Sequence, residues 1–495
     1  MELPSGVFDV LRRAVGEDPG REALVSASGR LTYGDLDALA DRAAGAFYAL
    51  GVRPGDRVAV SLPNDQEIVV AFHGAMRLGA VWVGVNQALA PPEKAYMLAD
   101  SGATLYLSAD PPGCLPPRGD ASWRALASAE FLAALDASEG LPAVPTPDPE
   151  APAAIAYTSG TTGRPKGAVH CQAGLVLPGA ATVARRGWGP GLRKGDSLPL
   201  TILNMFSLTT LLTAQAGGTA VIIDRPDVRS VVGWIRDEQV SVWNGPPAQL
   251  WTMVRDPGIE PADLASLKEV WVGGADCPDS LRSDFEARFG MPVVRTYGLT
   301  EAPALVCLDD IDGPRPSGTS GRPLDHIEVE ADGGEIVLVP RRDGPWAGVY
   351  RPALGYWNRS ERPAEGRVLR TGDLGRLEGG HLRVLGRKST VIIRGGANVY
   401  PAEVERVLAE APGVGASSVV GVADERLGER VGAALEPKAG EVLDVDSVLE
   451  HCRRNLAAYK VPERVVVVER LPRNQMGKVP RTEVVKLLEA VPDWR

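Results

Sequence analysis

The sequence predicts an α/β protein: a large amino-terminal domain of parallel-rich sheets with helices, then a small α+β domain. Three observations predict it. The chain has 495 residues, more than one ordinary core serves. Between residues 31 and 106, strand-like apolar runs alternate with runs of helical period, the rhythm of βα units on a parallel sheet. Near Gly386 the composition changes, and what remains is about one hundred residues, a common domain size.

In order, Leu31-Thr32-Tyr33-Gly34-Asp35 opens a helix with apolar positions at Leu36, Leu39, Ala40, Ala43 and Ala44. Arg57–Leu62 reads as a strand, Asp65–Leu78 as a helix and Ala80–Val85 as a strand. Asp110–Pro152 is rich in Pro, Ala and Asp, and reads as a loose connection with one short helix, Trp123–Leu135. The run Ala154-Ile155-Ala156-Tyr157 ends a buried strand, and alternation resumes from Val183 to Val294. Ser197–Ile223 is long and uncharged, but Pro199, Asn204, Gln215 and the Gly217-Gly218 pair make it a buried helix followed by a strand, not a membrane span. Beyond Gly386 come a strand at Thr390–Ile393, a Gly395-Gly396 turn and a helix opened by Pro401 in its first turn. Strands Ser417–Val422 and Val431–Leu435, helix Val445–Leu456 and strand Arg464–Val468 complete the small domain. There is no internal repeat.

With 53 Lys and Arg against 63 Asp and Glu, the net charge is −10. Broad nucleic-acid binding needs a basic face and is disfavoured, although a local basic mouth for an anionic cosubstrate is not. The five cysteines (Cys114, Cys171, Cys277, Cys307, Cys452) lie far apart with no Cys-x-x-Cys pair, so neither a disulfide framework nor a zinc site is indicated. Reduced thiols in a cytoplasm fit best. Met1-Glu2-Leu3-Pro4 does not begin a signal peptide. The five histidines (His73, His170, His326, His381, His451) show neither metal nor triad spacing.

The chemistry centres on Ala156–His170. Four hydroxyl side chains (Thr158, Ser159, Thr161, Thr162), three glycines (Gly160, Gly163, Gly167) and Lys166 stand together. Glycines let backbone N–H groups converge on an anion, hydroxyls donate to phosphate oxygens, and the lysine adds a point charge. The order is not Walker A, because Arg164 and Pro165 separate Gly163 from Lys166. The segment resembles the phosphate-binding motif of the adenylate-forming superfamily: acyl-CoA synthetases, aryl-acid-activating enzymes, nonribosomal peptide synthetase adenylation domains and luciferases. That resemblance runs in order over nearly the whole chain.

It implies domains at 1–387 and 388–495, a small β-barrel-like subdomain within the first, and a mobile lid in the second. It implies ATP, Mg²⁺ and CoA as cosubstrates and cofactor. Thr158, Ser159, Gly160, Thr161, Thr162 and Lys166 would hold the phosphates. In Tyr297-Gly298-Leu299-Thr300-Glu301, Glu301 would hold Mg²⁺, Thr300 would approach the α-phosphate, and Tyr297 would lie beside adenine. Gly273-Gly274-Ala275-Asp276 would pack against adenine and the acyl carboxylate. Asp373 would accept hydrogen bonds from the ribose, with Arg387 on ribose and phosphates, and Lys478 would neutralise charge during adenylation. The catalytic set is thus Lys478, Glu301, Thr158 and Arg387.

The loop from Lys388 to Pro401 resembles the one that swings in for the second half-reaction, with Ser389 at the hinge where relatives carry Asp or Lys. Gly395 and Gly396 would let the thiol arm pass, and Arg394, Lys460 and Lys388 could meet CoA phosphates, although each alone reads more as plain surface charge. The acid pocket departs from the family. Where relatives have Pro-Leu-Phe-His, this chain has Pro199-Leu200-Thr201-Ile202-Leu203-Asn204, with no histidine. Ile202, Leu203, Asn204, Trp243, Asn244, Gly245 and Gly273 would line the pocket, pointing to a short, aromatic or functionalised acid. Buried asparagines also serve to satisfy backbone groups. The implied activity is ATP-dependent activation of a carboxylic acid, then thioester formation with CoA; the alternative acceptor is a carrier-protein phosphopantetheine or another nucleophile. No carrier domain precedes Arg495, and the expected state is a monomer or homodimer.

Overall fold

The computed structural model describes residues 3–110, 115, 123–158, 165–273, 277–394, 397–424, 426–473 and 479–490. A seven-stranded sheet runs in the order Gly355–Tyr356, Lys166–Cys171, Pro152–Thr158, Val81–Gly84, Arg57–Ser61, Leu105–Ser108, Arg124–Ala127. From Pro152–Thr158 onward every pairing is parallel, and the first two strands are antiparallel additions at one edge. A nine-stranded sheet runs Arg322–Pro323, Ala302–Leu308, Val293–Leu299, Glu269–Val272, Val242–Asn244, Arg193–Asp196, Thr219–Ile222, Glu22–Ser26, Gly29–Thr32. Its six middle strands are parallel.

Helices cover these sheets because their apolar stripes need a partner. Tyr33–Ala49 begins where Thr32 accepts the Asp35 N–H (3.1 Å) and Asp35 accepts the Thr32 N–H (3.0 Å), a reciprocal cap. It packs on Gln66–Leu78 so closely that a Cβ on Gly74 would sit 2.5 Å from the Ala43 Cβ. Leu36, Ala40, Ala43 and Ala44 are buried as expected, and Leu39 is partly buried. The 197–223 stretch forms two short helices, Leu203–Leu208 and Thr210–Ala216, then strand Thr219–Ile222, instead of one helix and a strand. The break is Thr209, at φ −113° and ψ −77°. Among the described residues no helix is long and apolar enough to cross a membrane. The Trp123–Leu135 expectation also splits: Arg124–Ala127 is an edge strand captured by Leu105–Ser108, and the helix is Ser128–Ala137.

An antiparallel five-stranded sheet (Ile327–Glu330, Asp332–Pro340, Val368–Glu378, Ala364–Glu365, with His381–Arg387 beside Val368–Glu378) supplies the small β subdomain. A single 3₁₀ turn, Lys388–Thr390, leads from it to the carboxy-terminal α+β unit, whose first strand is Ile392–Arg394 rather than Thr390–Ile393. Its sheet (Ala397–Val399, Ile392–Arg394, Gly428–Pro437, Val414–Asp424, with Arg464–Val467 parallel to Gly428–Pro437) buries its own core under helices Pro401–Ala409 and Val445–Asn455. The helix Arg481–Glu489 closes the other face through Val484 and Leu488.

Candidate active site

Pro152–Thr158 and Lys166–Cys171 pair as a hairpin with Thr158 opposite Lys166. The two ends of the glycine-rich segment are thereby pinned at the rim of the seven-stranded sheet, with Thr158 Oγ1 3.4 Å from the Lys166 carbonyl. Ser159, Gly160, Thr161 and Thr162 lie outside the described residues. Lys166 Nζ is 2.6 Å from Glu361 Oε2 and 5.3 Å from the centre of the Tyr356 ring. Tyr356 reaches it because Gly355–Tyr356 pairs with Lys166–Cys171 at the sheet edge.

The Tyr356 hydroxyl donates to Glu301 Oε1 at 2.8 Å. Glu301 stands at the turn between Val293–Leu299 and Ala302–Leu308, next to the half-buried Thr300. Burial, then the Glu301 charge, pushes the Tyr356 phenol up, so it remains a donor. This hairpin tolerates nothing larger than glycine at position 298: a Cβ there would lie 1.9 Å from the Ala304 carbonyl oxygen, and Ala304 itself is left-handed (φ 59°).

Asp373 and Arg387 face each other across the Val368–Glu378/His381–Arg387 ladder. The buried Asp373 carboxylate accepts from Arg387 Nε at 2.8 Å and from the Tyr297 hydroxyl at 2.7 Å. Burial works against the Arg387 charge, but Asp373, joined by Glu301 and Tyr297, more than offsets it. Burial and then Asp373 push the Tyr297 phenol well up. Arg387 also acts on the Tyr356 phenol. Lys166, Tyr356, Glu301, Arg387, Asp373 and Tyr297 therefore surround one place, although they come from distant stretches of chain. Nothing in the sequence marks Glu361, and the local cue to Tyr356 is the Gly355-Tyr356-Trp357 run.

The acid-pocket residues divide. Ile202 and Asn204 are half-buried, but Leu203 belongs to the main core. Trp243, expected as a pocket wall, is fully buried among Val270, Leu250 and neighbouring apolar side chains. Asn244 is likewise committed, donating its amide to the Asp196 carboxylate. A three-residue strand points alternate side chains to opposite faces, and here both faces are covered. Gly245 is pressed by the Trp243 ring and Leu250 (2.5 Å from a would-be Cβ), and Gly273 by Thr296 Oγ1 (2.0 Å). Gly274, Ala275 and Asp276 lie outside the described residues.

Two cations expected on the CoA path are held in ion pairs within the small unit: Lys460 Nζ is 2.7 Å from both Glu403 carboxylate oxygens, and Arg394 pairs with Glu463. Lys388 is exposed, 3.9 Å from Glu335, and Ser389 is exposed on the 3₁₀ turn. Gly395, Gly396 and Lys478 lie outside the described residues. Among the described residues no three His, Cys, Asp or Glu side chains cluster to hold a metal.

Residues 11–340 match a family model described as AMP-binding enzyme, and residues 403–478 match one described as AMP-binding enzyme C-terminal domain. The chain is 34% identical to a long-chain-fatty-acid–CoA ligase of Mycobacterium tuberculosis, over 96% of each chain. It is 33% identical to an indoleacetate–CoA ligase of Aromatoleum aromaticum, over 96% of this chain and 97% of the relative. Among solved structures, the Bacillus subtilis o-succinylbenzoate CoA synthetase in complex with an acyl-adenylate intermediate superimposes with a TM-score of 0.80 at 28% identity, covering 98% of each chain.

Proposed function

This chain belongs to the AMP-binding enzyme family, and we propose that it is an ATP-dependent acid–CoA ligase working in two steps. In the first, a carboxylate oxygen attacks the α-phosphorus of ATP in line; the bond to the bridging oxygen breaks, leaving acyl-adenylate and pyrophosphate. In the second, the CoA thiolate attacks the acyl carbon and AMP departs with the bonding pair. The observation that supports this reading is the grouping of Lys166, Glu301, Arg387, Asp373 and Tyr297 about one place.

Lys166, Thr158 and the hydroxyls and N–H groups of residues 159–162 meet the phosphates. Asp373 has lone pairs left for ribose hydroxyls beyond those used by Tyr297 and Arg387. Arg387 contacts ribose and phosphate, Tyr297 flanks adenine, and Thr300 approaches the α-phosphate. Gly273 to Asp276 pack against adenine and the reacting carboxylate.

Glu301 fits Mg²⁺, a hard cation that takes one or two carboxylates and completes its shell with phosphate and water oxygens. When bound, the ion screens phosphate charge. Lys478 then neutralises the charge that builds on the phosphorus. For thioester formation, residues 388–495 turn as a lid about Ser389. Gly395 and Gly396 supply the passage for the thiol arm, while Arg394 and Lys460 are engaged by carboxylates. We place the protein in the cytoplasm, as a monomer or homodimer; the buried Cys171, Cys277, Cys307 and Cys452 are in no disulfide. The half-buried Ile202 and Asn204 favour a short, aromatic or functionalised acid.

The test is acid-dependent ATP–pyrophosphate exchange across a carboxylate panel, followed by AMP release with free CoA against a phosphopantetheine-loaded carrier protein. Exchange with at least one acid and release with CoA are expected. Folded protein that exchanges with none refutes the reading, and release with the carrier alone transfers it to the carrier-dependent acceptor.

A further inference from the structure

A strand in the middle of a parallel sheet is buried on both faces and ordinarily apolar. The strand Arg193–Asp196, between Thr219–Ile222 and Val242–Asn244, instead holds Lys194 and Asp196, which are 0% and 1% exposed. Register puts both on one face: Lys194 is level with Val242 and Glu269, and Asp196 with Asn244 and Trp271.

A buried carboxylate costs heavily unless its lone pairs are answered. Three donors answer this one. The Leu198 N–H reaches Oδ1 at 3.0 Å, the Thr209 hydroxyl reaches Oδ2 at 2.9 Å, and the Asn244 amide also donates to Oδ2. Burial nevertheless pushes the Asp196 carboxyl up, and Lys194, its ammonium 4.8 Å from the Trp271 ring centre, works against that. The Trp271 indole in turn donates to Glu269, which also holds Arg186.

The three donors belong to three pieces of chain. Leu198 begins the run to Ile202 and Asn204. Thr209 is the break between the two short helices. Asn244 ends its strand and passes into Gly245, whose N–H donates to the Trp271 carbonyl at 2.8 Å. Leu198 and Asn244 lie at the carboxyl ends of parallel strands, where open α/β sheets bind ligands, and Thr209 reaches the same end through Asp196. None bonds to Asp373, Glu301 or Lys166.

We propose that Asp196 is a positioning residue for acid recognition: by tying the 198–204 run, the Thr209 break and the Asn244–Gly245 turn into one geometry, it sets which carboxylic acid fits. The proposal rests on the ligase reading.

Thr209→Val keeps volume and charge balance and removes one donor; Asp196→Asn removes the charge and strands Lys194. In acid-dependent exchange, Thr209→Val raises the acid KM about fivefold, the size of one lost hydrogen bond, while the ATP KM stays within about twofold. Asp196→Asn raises the acid KM further and changes the rank order of acids. Thr209→Ser, which restores the hydroxyl, returns the acid KM toward wild type. The proposal is overturned if Thr209→Val leaves the acid KM unchanged, or if acid and ATP KM rise together as in a general loss of fold. Should Asp196→Asn fail to fold, the Val/Ser pair at position 209 decides. A wild type that exchanges with no acid sinks the ligase reading itself, whereas a normal wild type with an indifferent Thr209→Val sinks this proposal alone.

Discussion

Removing one oxygen atom, that of Tyr356, probes the cluster most directly. Its hydroxyl donates to Glu301 at 2.8 Å, and its ring lies 5.3 Å from the Lys166 ammonium. Phenylalanine preserves the ring, the lysine contact and the strand pairing, and deletes only the donor. A hydrogen bond to a charged group contributes about 1.5–3 kcal/mol. Tyr356 is half-buried, so the lower end applies, equivalent to about tenfold in an equilibrium constant. The lone pairs on Glu301 outnumber the one that Tyr356 uses, so the tyrosine orients the carboxylate without blocking it. Partners that orient metal-binding carboxylates commonly matter by about 10–100-fold. In Tyr356→Phe the Mg²⁺ concentration for half-maximal exchange is therefore expected to rise about tenfold, with the acid KM unchanged. A Mg²⁺ requirement that stays put or falls would show that the phenol merely covers Glu301, and would refute the reasoning.

Four further outcomes are expected. Glu361→Gln frees Lys166 from a competing carboxylate that is 58% exposed; the exposed pair is weak, so the ATP KM should fall only about two- to threefold at low salt, and a rise would contradict the competition. Lys478→Ala should nearly abolish adenylation yet leave thiolysis of a supplied acyl-adenylate, and equal loss of both steps in rapid-quench assays would remove its role. Phe206→Ala empties a fully buried site stacked on Phe72 at 3.9 Å, and should cost about 3–5 kcal/mol in denaturant unfolding; a loss below about 1 kcal/mol would contradict the packing. Burial brings His73 and His326 down to about 3 and His170 to about 4. Between those values and 6.5 the unfolded chain binds more protons, so stability is intact above 6.5 and falls on acidification, by about 1.4 kcal/mol per pH unit for each histidine. Unfolding midpoints at pH 7 and pH 5 check the sign.

The legible parts of the sequence were those governed by local physics. The βα rhythm from Leu31 to Val85 needs only apolar period, the Thr32–Asp35 cap and the glycine after Leu78. The glycine-rich segment announces itself by composition. What stayed hidden depends on contacts remote in sequence. Glu361 meets Lys166 across 195 residues, and a lone glutamate in a loop carries no mark of that partner. Trp243 and Asn244 looked like pocket walls, but the order of strands, not their composition, decides that both faces are covered. Arg394 and Lys460 read as free cations because Glu463 and Glu403 are brought to them only by the fold of the small sheet. The short Arg193–Asp196 run carries no strand signal of its own, and its oddity emerges only once its neighbours are known to be central and parallel.

The double duty of Tyr356 has a consequence for the order of filling. A lysine rests on its face and a glutamate is held by its hydroxyl, so the proposed phosphate and Mg²⁺ half-sites share a single aromatic side chain. An anion that draws Lys166 away alters the field at the phenol, and a cation that claims Glu301 tugs on the same ring from the other side. Any change that filling one of these proposed half-sites makes in affinity at the other must be mutual. In the proposed reading, the factor by which Mg²⁺ changes ATP affinity therefore equals the factor by which ATP changes Mg²⁺ affinity.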